Sequence, residues 1–560
     1  MMARLSRILA TVVVLAAVVW ISAATRLSAA GPTTVPQPYM SVPAEPMIGG
    51  ITEEEYAAEQ ATLRDWLLRE MPAGVESQPI VVRLTDQERS DLQRRQEAPE
   101  GPAVVGRTKP IMAVVRFSNA AGAKISGNPQ RVGNGVLQGT PDGGFVWAAA
   151  IRSEGAGAIR VHVSRLDLPG DADLFFFTRD GQAFGPYSGR GPNGDGDFWT
   201  NTVFGPEGIL LLRHYGPDGA ADLRNIRFVI SDAGHIGPKF GPVAATQSFC
   251  SFNAPCIENA SCHTGTPADP AKSAVALMQW VSGSFIYTCT GGLLADTVST
   301  SQIPYFLTAN HCISTSTNAS NLETYFQFSI SCGSTSCPPQ TQPGGIQRLG
   351  SGIKATGTGG DFTLLQLNQA PPTGSVFLGW NNTPIANTNN AALYRISHPA
   401  WAPQAYSEGH VDTSAPTCTG WPRGERIYSR TTVAGTEGGS SGSPVLNGSS
   451  QVVGQLSGAC GTNVNNACDN VSNATVDGAF AFYWPSVQPY LAPGGGCVPV
   501  TEICNDGVDN DCDNLIDCAD PDCAGSPFCP SCSPVGASCS VDSNCCSIKC
   551  KGPAGRKTCR

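Results

Sequence analysis

Cysteine placement is the strongest constraint on what this chain can fold into. None of the 22 cysteines precedes Cys250, ten lie from Cys250 to Cys468, and twelve crowd between Cys497 and Cys559. The first half must therefore hold itself together by packing alone. The last sixty-odd residues are too poor in apolar side chains for an ordinary core and must be stapled. Even counts in both regions predict disulfides if the chain is exported. Zinc ligation is the competing use, but the stretch from 250 to 468 lacks paired CxxC elements and the chain has only seven histidines.

Export is indicated at the N-terminus, where Arg4 and Arg7 precede an apolar run from Ile8 to Ala24 and small residues follow. Residues 1–30 are expected to be a signal peptide cut after Ala24 or Ala30, with a single membrane anchor as the alternative. No other run is long enough to span a bilayer, so a secreted, extracellular protein without a membrane span is expected. A formal net charge of -10 argues against a general binder of nucleic acid or anionic membranes.

Patterning divides the remainder. In residues 31–110 a Pro-rich start leads to a capping box of Thr52 and Glu55 and helical apolar spacing, which predicts one amphipathic helix. Residues 111–244 carry short runs such as "AIRVHVSRL", "DLFFFTRDG" and "GILLLRHYG" between Gly, Pro and Asp turns, which predicts a β-sandwich. Residues 245–493 again read as short strands with long Gly/Ser/Asn loops, a length and texture suited to a double β-barrel. The tail divides into 494–528 and 529–560.

Chemistry concentrates in the third segment. "YFLTANHC" puts His311 after an apolar strand and before Cys312, and Cys289 in "YTCTGGLL" is placed to bridge to Cys312 and immobilise that backbone. "GGDFTLLQLN" sets Asp361 at the mouth of a strand, where a carboxylate needs a partner; His311 is a candidate, since an aspartate on its Nδ1 fixes the tautomer needed of a base. "GTEGGSSGSPVLN" comes next, and its serines Ser440, Ser441 and Ser443 belong either to a flexible linker or to a nucleophile loop. The order His, Asp, Ser in β-type sequence favours the loop.

"TANHC", "DFTLLQLN", "GSSGSP" and "VVGQLSGA" resemble the blocks of trypsin-like serine proteases, and most closely the bacterial lysyl endopeptidase (Achromobacter protease I type) family, over about residues 245–490. The resemblance implies a mainly β protein: a double β-barrel trypsin-like protease domain preceded by a β-sandwich pro-region. It implies a triad of His311, Asp361 and Ser441, with Ser441 selected by the GxSGxP frame of Gly439, Gly442 and Pro444. The oxyanion hole would be the amides of Gly439 and Ser441, no cofactor would be needed for catalysis, and the partners would be protein or peptide substrates, met by a monomer. The family's first half-cystines imply Cys250 bonded to Cys460 or Cys468, and Cys256 to Cys332 or Cys337.

The specificity pocket departs from the family. Gly435 stands at the acid position of trypsin, while Thr475 and Ser457 stand at the acid and histidine positions of lysyl endopeptidases; Asp477 or Asp469 could substitute. A lysyl or other basic preference and a smaller polar pocket both remain open. In the tail, Asp509, Asp511, Asp513, Asp517 and Asp520 have the spacing of an EF-hand-like calcium loop within a stretch resembling MopE-type repeats, so Ca2+ is the expected ligand there. Cys532, Cys539, Cys545, Cys546, Cys550 and Cys559 resemble a cystine knot, a module suited to surface or matrix attachment. Two functions from different classes are compatible with these features: a secreted serine endopeptidase with a pro-region, or a secreted adhesion or binding protein carrying an inactive protease domain.

Overall fold

The computed structural model describes residues 39–97, 102–117, 125–216, 226–237, 249–250, 252–298, 301–334, 337 and 345–493, with isolated tail positions at 504, 521–523, 538, 550–551 and 558–559. The signal segment, the acidic loop from Asp509 to Asp520 and most of the cystine-knot-like block lie outside the described residues. The chain from Met40 onward forms the unit that holds every element named below. Among the described residues no helix is long and apolar enough to cross a membrane.

The first layer pair is a β-sandwich. One sheet is built on β1 (Ala103–Arg116), β3 (Ala158–Asp167) and β6 (Arg227–Ile236), with β6 central; the other on β2 (Phe145–Ser153), β4 (Ala172–Phe177) and β5 (Glu207–His214), with β5 between β2 and β4. Trp147, Phe176, Leu210 and Leu212 meet Ile159, Val161, Phe228 and Ile230 between the sheets. The opposite face of the second sheet is also buried, because helix Glu53–Glu70 lays Leu67 and Trp66 on Val146, Phe175, Phe177 and Leu211. A sheet covered on both faces needs apolar residues in succession, which is why "FVWAAAI" and "DLFFF" do not alternate. The helix starts where expected, with Thr52 and Glu55 capping each other's backbone amides.

The strand β1 begins at Ala103 rather than at the expected boundary of 111, and a second helix, Asp86–Glu97, precedes it. Its Thr85 and Glu88 form another capping box.

Residues 275–479 form two barrels. The first comprises β7 (Val275–Ser282), β8 (Phe285–Leu294), β9 (Tyr305–Ala309), β10 (Glu323–Phe326), β11 (Ile346–Leu349), β12 (Ser351–Gly357) and β13 (Phe362–Leu367). The second comprises β14 (Ala392–Ser397), β15 (Ala405–Val411), β16 (Arg426–Val433), β17 (Pro444–Leu446), β18 (Val452–Gly461) and β19 (Asn473–Ala479). Its pairings close a ring, β14–β15–β16–β19–β18–β17 and back to β14, so no edge is left open. Helix Phe480–Leu491 packs Tyr483, Trp484 and Val487 against residues of both barrels.

The sandwich and the first barrel share one sheet, since β1 pairs with β6 on one side and with β8 on the other. Behind this seam lies a buried polar knot. The Glu323 carboxylate accepts from Asn201 Nδ2 (2.8 Å), the Thr202 amide (3.1 Å), Tyr325 OH (3.0 Å) and Gln347 Nε2 (2.8 Å). Arg160, fully buried, donates to the carbonyls of Thr200 and Asn321. Its burial pushes the guanidinium's pKa down while Glu323 opposes that shift.

Two disulfide expectations are corrected. Cys250 bonds Cys337 and Cys256 bonds Cys468, while Cys262–Cys332, Cys289–Cys312 and Cys418–Cys460 complete the protease-like region. The reason is local geometry: Cys332 faces Cys262 with Cα atoms 4.8 Å apart, and Cys460 faces Cys418 at 5.9 Å, so neither is left for Cys256 or Cys250. In the tail Cys504 bonds Cys523, and Cys550–Lys551 pairs with Thr558–Cys559.

Removing Glu323 would take from Asn201 Nδ2, the Thr202 amide, Tyr325 OH and Gln347 Nε2 the carboxylate they share, and from Arg160 its nearby opposite charge. Glu323→Ala is expected to cost about 3–5 kcal/mol, read as a lower urea midpoint of the intact chain.

Candidate active site

His311 follows β9, and the Cys289–Cys312 bond ties the next residue to β8. Asp361 closes a single helical turn, Gly359–Asp361, just before β13, with φ of 52° after Gly360 at 75°. A non-glycine residue in the left-handed region is uncommon and must be held by its surroundings. The hold is visible. The Asn310 amide donates to the Asp361 carbonyl (3.0 Å), and Gln455 Nε2 donates to the carbonyls of Gly360 (2.9 Å) and Asp361 (2.8 Å). Gln455 is itself oriented by the Tyr483 hydroxyl. Gly478 admits the turn, because a methyl group there would lie 1.8 Å from the Gly360 carbonyl oxygen.

So aimed, the Asp361 carboxylate grips His311 with both oxygens: Oδ1 accepts the His311 backbone amide (3.0 Å) and Oδ2 pairs with the ring Nδ1 (2.8 Å). A proton on Nδ1 leaves Nε2 as the ring's acceptor. The Asp361 side chain is 12% exposed and that of His311 27%, so this base is fixed from behind and accessible in front.

The three serines separate by burial. Ser440 is fully buried and its hydroxyl oxygen accepts from Ser397. Ser443 is fully buried without a side-chain partner among the described residues. Ser441 lines a cleft of about 810 Å³ together with His311 and Asp361. Among the described residues neither the Ser441 amide nor the Gly439 amide donates a hydrogen bond. Gly439 has φ of 97°, and a Cβ there would lie 2.7 Å from the Ala400 nitrogen, so only glycine fits. A hydroxyl and an imidazole acceptor on one cleft, with two undonated amides at the serine and two residues before it, are the parts that acyl transfer needs.

Of the expected pocket residues, Ser457 and Thr475 line the cleft, and Thr431, which sequence reasoning missed, joins Thr475 through their hydroxyls (3.1 Å). Gly435 is not on the wall; it is buried behind it, close to the Cys256 sulfur and the Ala467 carbonyl. Asp477 is also corrected: it is fully buried and ion-paired with Arg395 on β14. Burial raises its pKa and Arg395 opposes the rise. Asp469 is on the wall, with its pKa held down to about 2 by the Ser472 amide and the Asn463 side chain.

The cleft has a further wall that sequence alone did not indicate. Gln96, Glu97 and Ala103 to Val105 line it from the N-terminal side. There Ala103 pairs with Thr288 of β8, and a methyl built on Gly438 would lie 3.6 Å from the Ala103 Cβ.

Comparison with known proteins adds an independent line. A family model described as "Lysyl endopeptidase, C-terminal domain" matches residues 250–473. A lysyl endopeptidase of Pseudomonas aeruginosa is 29% identical over 374 residues, which is 63% of this chain and 77% of that protein. Among solved structures, the Rv3671c protease of M. tuberculosis in its active form aligns at 13% identity and a TM-score of 0.29, covering 42% of this chain and 90% of that one. The HtrA-type protease AlgW with a tripeptide aligns at 13% identity and a TM-score of 0.29, covering 41% and 63%. The chain is thus similar to lysyl endopeptidases, and the span matched by the family model contains His311, Asp361 and Ser441.

Proposed function

We propose that the chain is a secreted serine endopeptidase that cleaves peptide bonds through an acyl-enzyme on Ser441. The observation that carries this is the two-oxygen hold of Asp361 on His311, at the cleft that Ser441, alone of the three serines of its loop, lines. His311 Nε2 takes the Ser441 proton as Oγ attacks the carbonyl carbon. Asp361 stabilises the imidazolium that results, and the amides of Gly439 and Ser441 receive the oxyanion. Protonated His311 then gives its proton to the leaving amine, and water repeats the cycle on the ester. Secretion is supported by the five disulfides of the protease-like region.

The alternative, a binding protein with an inactive protease domain, requires that one element of this machinery be lost. None of the three side chains is replaced.

The pocket supports an uncharged side chain before the cleaved bond. A lysine ammonium needs an unpaired carboxylate at depth, and Asp477, the buried candidate, is neutralised by Arg395. What remains around Thr475 is a set of hydroxyls from Thr431, Ser457 and Thr475, with the Asp469 carboxylate on the same wall already engaged by Asn463 Nδ2 and the Val471 and Ser472 amides. The lysyl preference in the relative's name belongs to that protein.

The N-terminal region, with Ala103 to Val105 on the cleft wall, is best read as a pro-region. N-terminal sequencing of the mature secreted protein should start between Gly237 and Cys250; a start near Gly31 would reject this.

Ser441→Ala should abolish peptidase activity while Ser440→Ala retains it, and Asp361→Asn should lower kcat by about 10⁴-fold by favouring the wrong tautomer. Profiling on a peptide library should give cleavage after small uncharged residues. Asp477→Asn should lower the unfolding midpoint without changing that profile; a profile dominated by lysine would overturn the pocket assignment.

A further inference from the structure

A peptide unit between two glycines, Gly438 and Gly439, has no side chain to restrain its plane. Which way it faces decides whether the Gly439 amide points at the cleft or away from it. The Gly438 carbonyl accepts from the Ala400 amide at 2.6 Å. Because the peptide is planar and trans, a carbonyl held toward Ala400 sends the Gly439 N–H the opposite way. The next carbonyl, that of Gly439, is pinned by the Thr290 hydroxyl (2.8 Å), whose oxygen accepts the His398 amide (3.0 Å).

The turn that supplies these donors is itself constrained. Ala400 and Trp401 both have positive φ, 52° and 67°, in a one-turn segment Pro399–Trp401. Consecutive left-handed non-glycine residues persist only where their neighbours over-determine them. Trp401 is buried in a cluster with Phe204 of the sandwich and Phe328 of the first barrel. The decisive tie is Asn253. It is 1% exposed, and its Nδ2 donates both to the Pro399 carbonyl (3.2 Å) and to the Glu437 carboxylate (2.6 Å). The other Glu437 oxygen accepts the Ala254 amide (3.1 Å). One amide group thus clamps the turn that holds Gly438 to the residue immediately before Gly438.

We propose that Asn253, through Glu437 and the Pro399–Trp401 turn, is a positioning residue that keeps the Gly439 amide facing the cleft. This role rests on the endopeptidase reading of the site. The clamp uses an internal side chain, flanked by the Cys250 and Cys256 disulfides, and no chain terminus. The oxyanion site is therefore assembled before any cleavage near residue 245.

The test compares steady-state kinetics of Asn253→Ala, Glu437→Ala and Glu437→Gln on the best peptide p-nitroanilide from the cleavage profile, with inhibition by the matching peptide boronate. Loss of an oriented oxyanion donor should lower kcat by about 100-fold for Asn253→Ala and Glu437→Ala, leave KM near that of wild type, and weaken the boronate in parallel with kcat. Glu437→Gln keeps an acceptor for Asn253 and should recover most of the kcat lost in Glu437→Ala. Should Asn253→Ala fail to be secreted, the Glu437 pair carries the same test. Unchanged kcat, a loss borne by KM alone, or no recovery in Glu437→Gln would overturn the assignment. An inert wild type would instead reject the endopeptidase reading, and this inference with it.

Discussion

The Asp361 carboxylate is where the two barrels and the candidate chemistry meet. It comes from the first barrel, but its left-handed backbone is secured from the second, by Gln455 on β18 and by the space left at Gly478 on β19. In that conformation one oxygen reaches the His311 amide and the other its ring. The closed ring of the second barrel and the Cys289–Cys312 bond of the first thus serve one geometric end, a base that cannot rotate away from its cleft.

A second polar knot, around Glu323 and Arg160, joins the barrel to the sandwich. Its character differs from that of the flanking apolar cluster of Val105, Trp199, Phe204, Ile286 and Trp401. Buried polar groups contribute less net stability than apolar contact but penalise misregistration heavily. Together the two patches seat the sandwich on the barrel in one register, with β1 running along β8 and Ala103 beside Gly438.

Much of this was legible in the residues, and the failures have a common cause. The helix at Glu53 and the fully apolar strands announced themselves through local signals, capping and burial on both faces. His311 and Asp361 were legible because each sits at a strand end with a distinctive neighbour. Ser441 required the glycine frame, since composition alone reads as linker. Asp477 was misplaced because its partner, Arg395, lies 82 residues away on another strand. The cysteine pairings failed likewise, since which half-cystine faces which depends on the tertiary fold, which sets Cys262 against Cys332 and Cys418 against Cys460. The clamp of Asn253, Pro399 and Glu437 spans 184 residues and carries no local pattern. The helix Asp86–Glu97 is different: its capping box at Thr85 and Glu88 is a local signal present in the sequence.

The central claim is that one serine, held on a cleft with an aspartate-fixed histidine, forms the covalent intermediate. Reaction of the mature protein with a fluorophosphonate, followed by mass spectrometric mapping of the modified peptide, addresses it most directly. The account predicts a single adduct, on Ser441, that disappears when the protein is denatured first. An adduct on Ser440 or Ser443, or none on native protein, would contradict it.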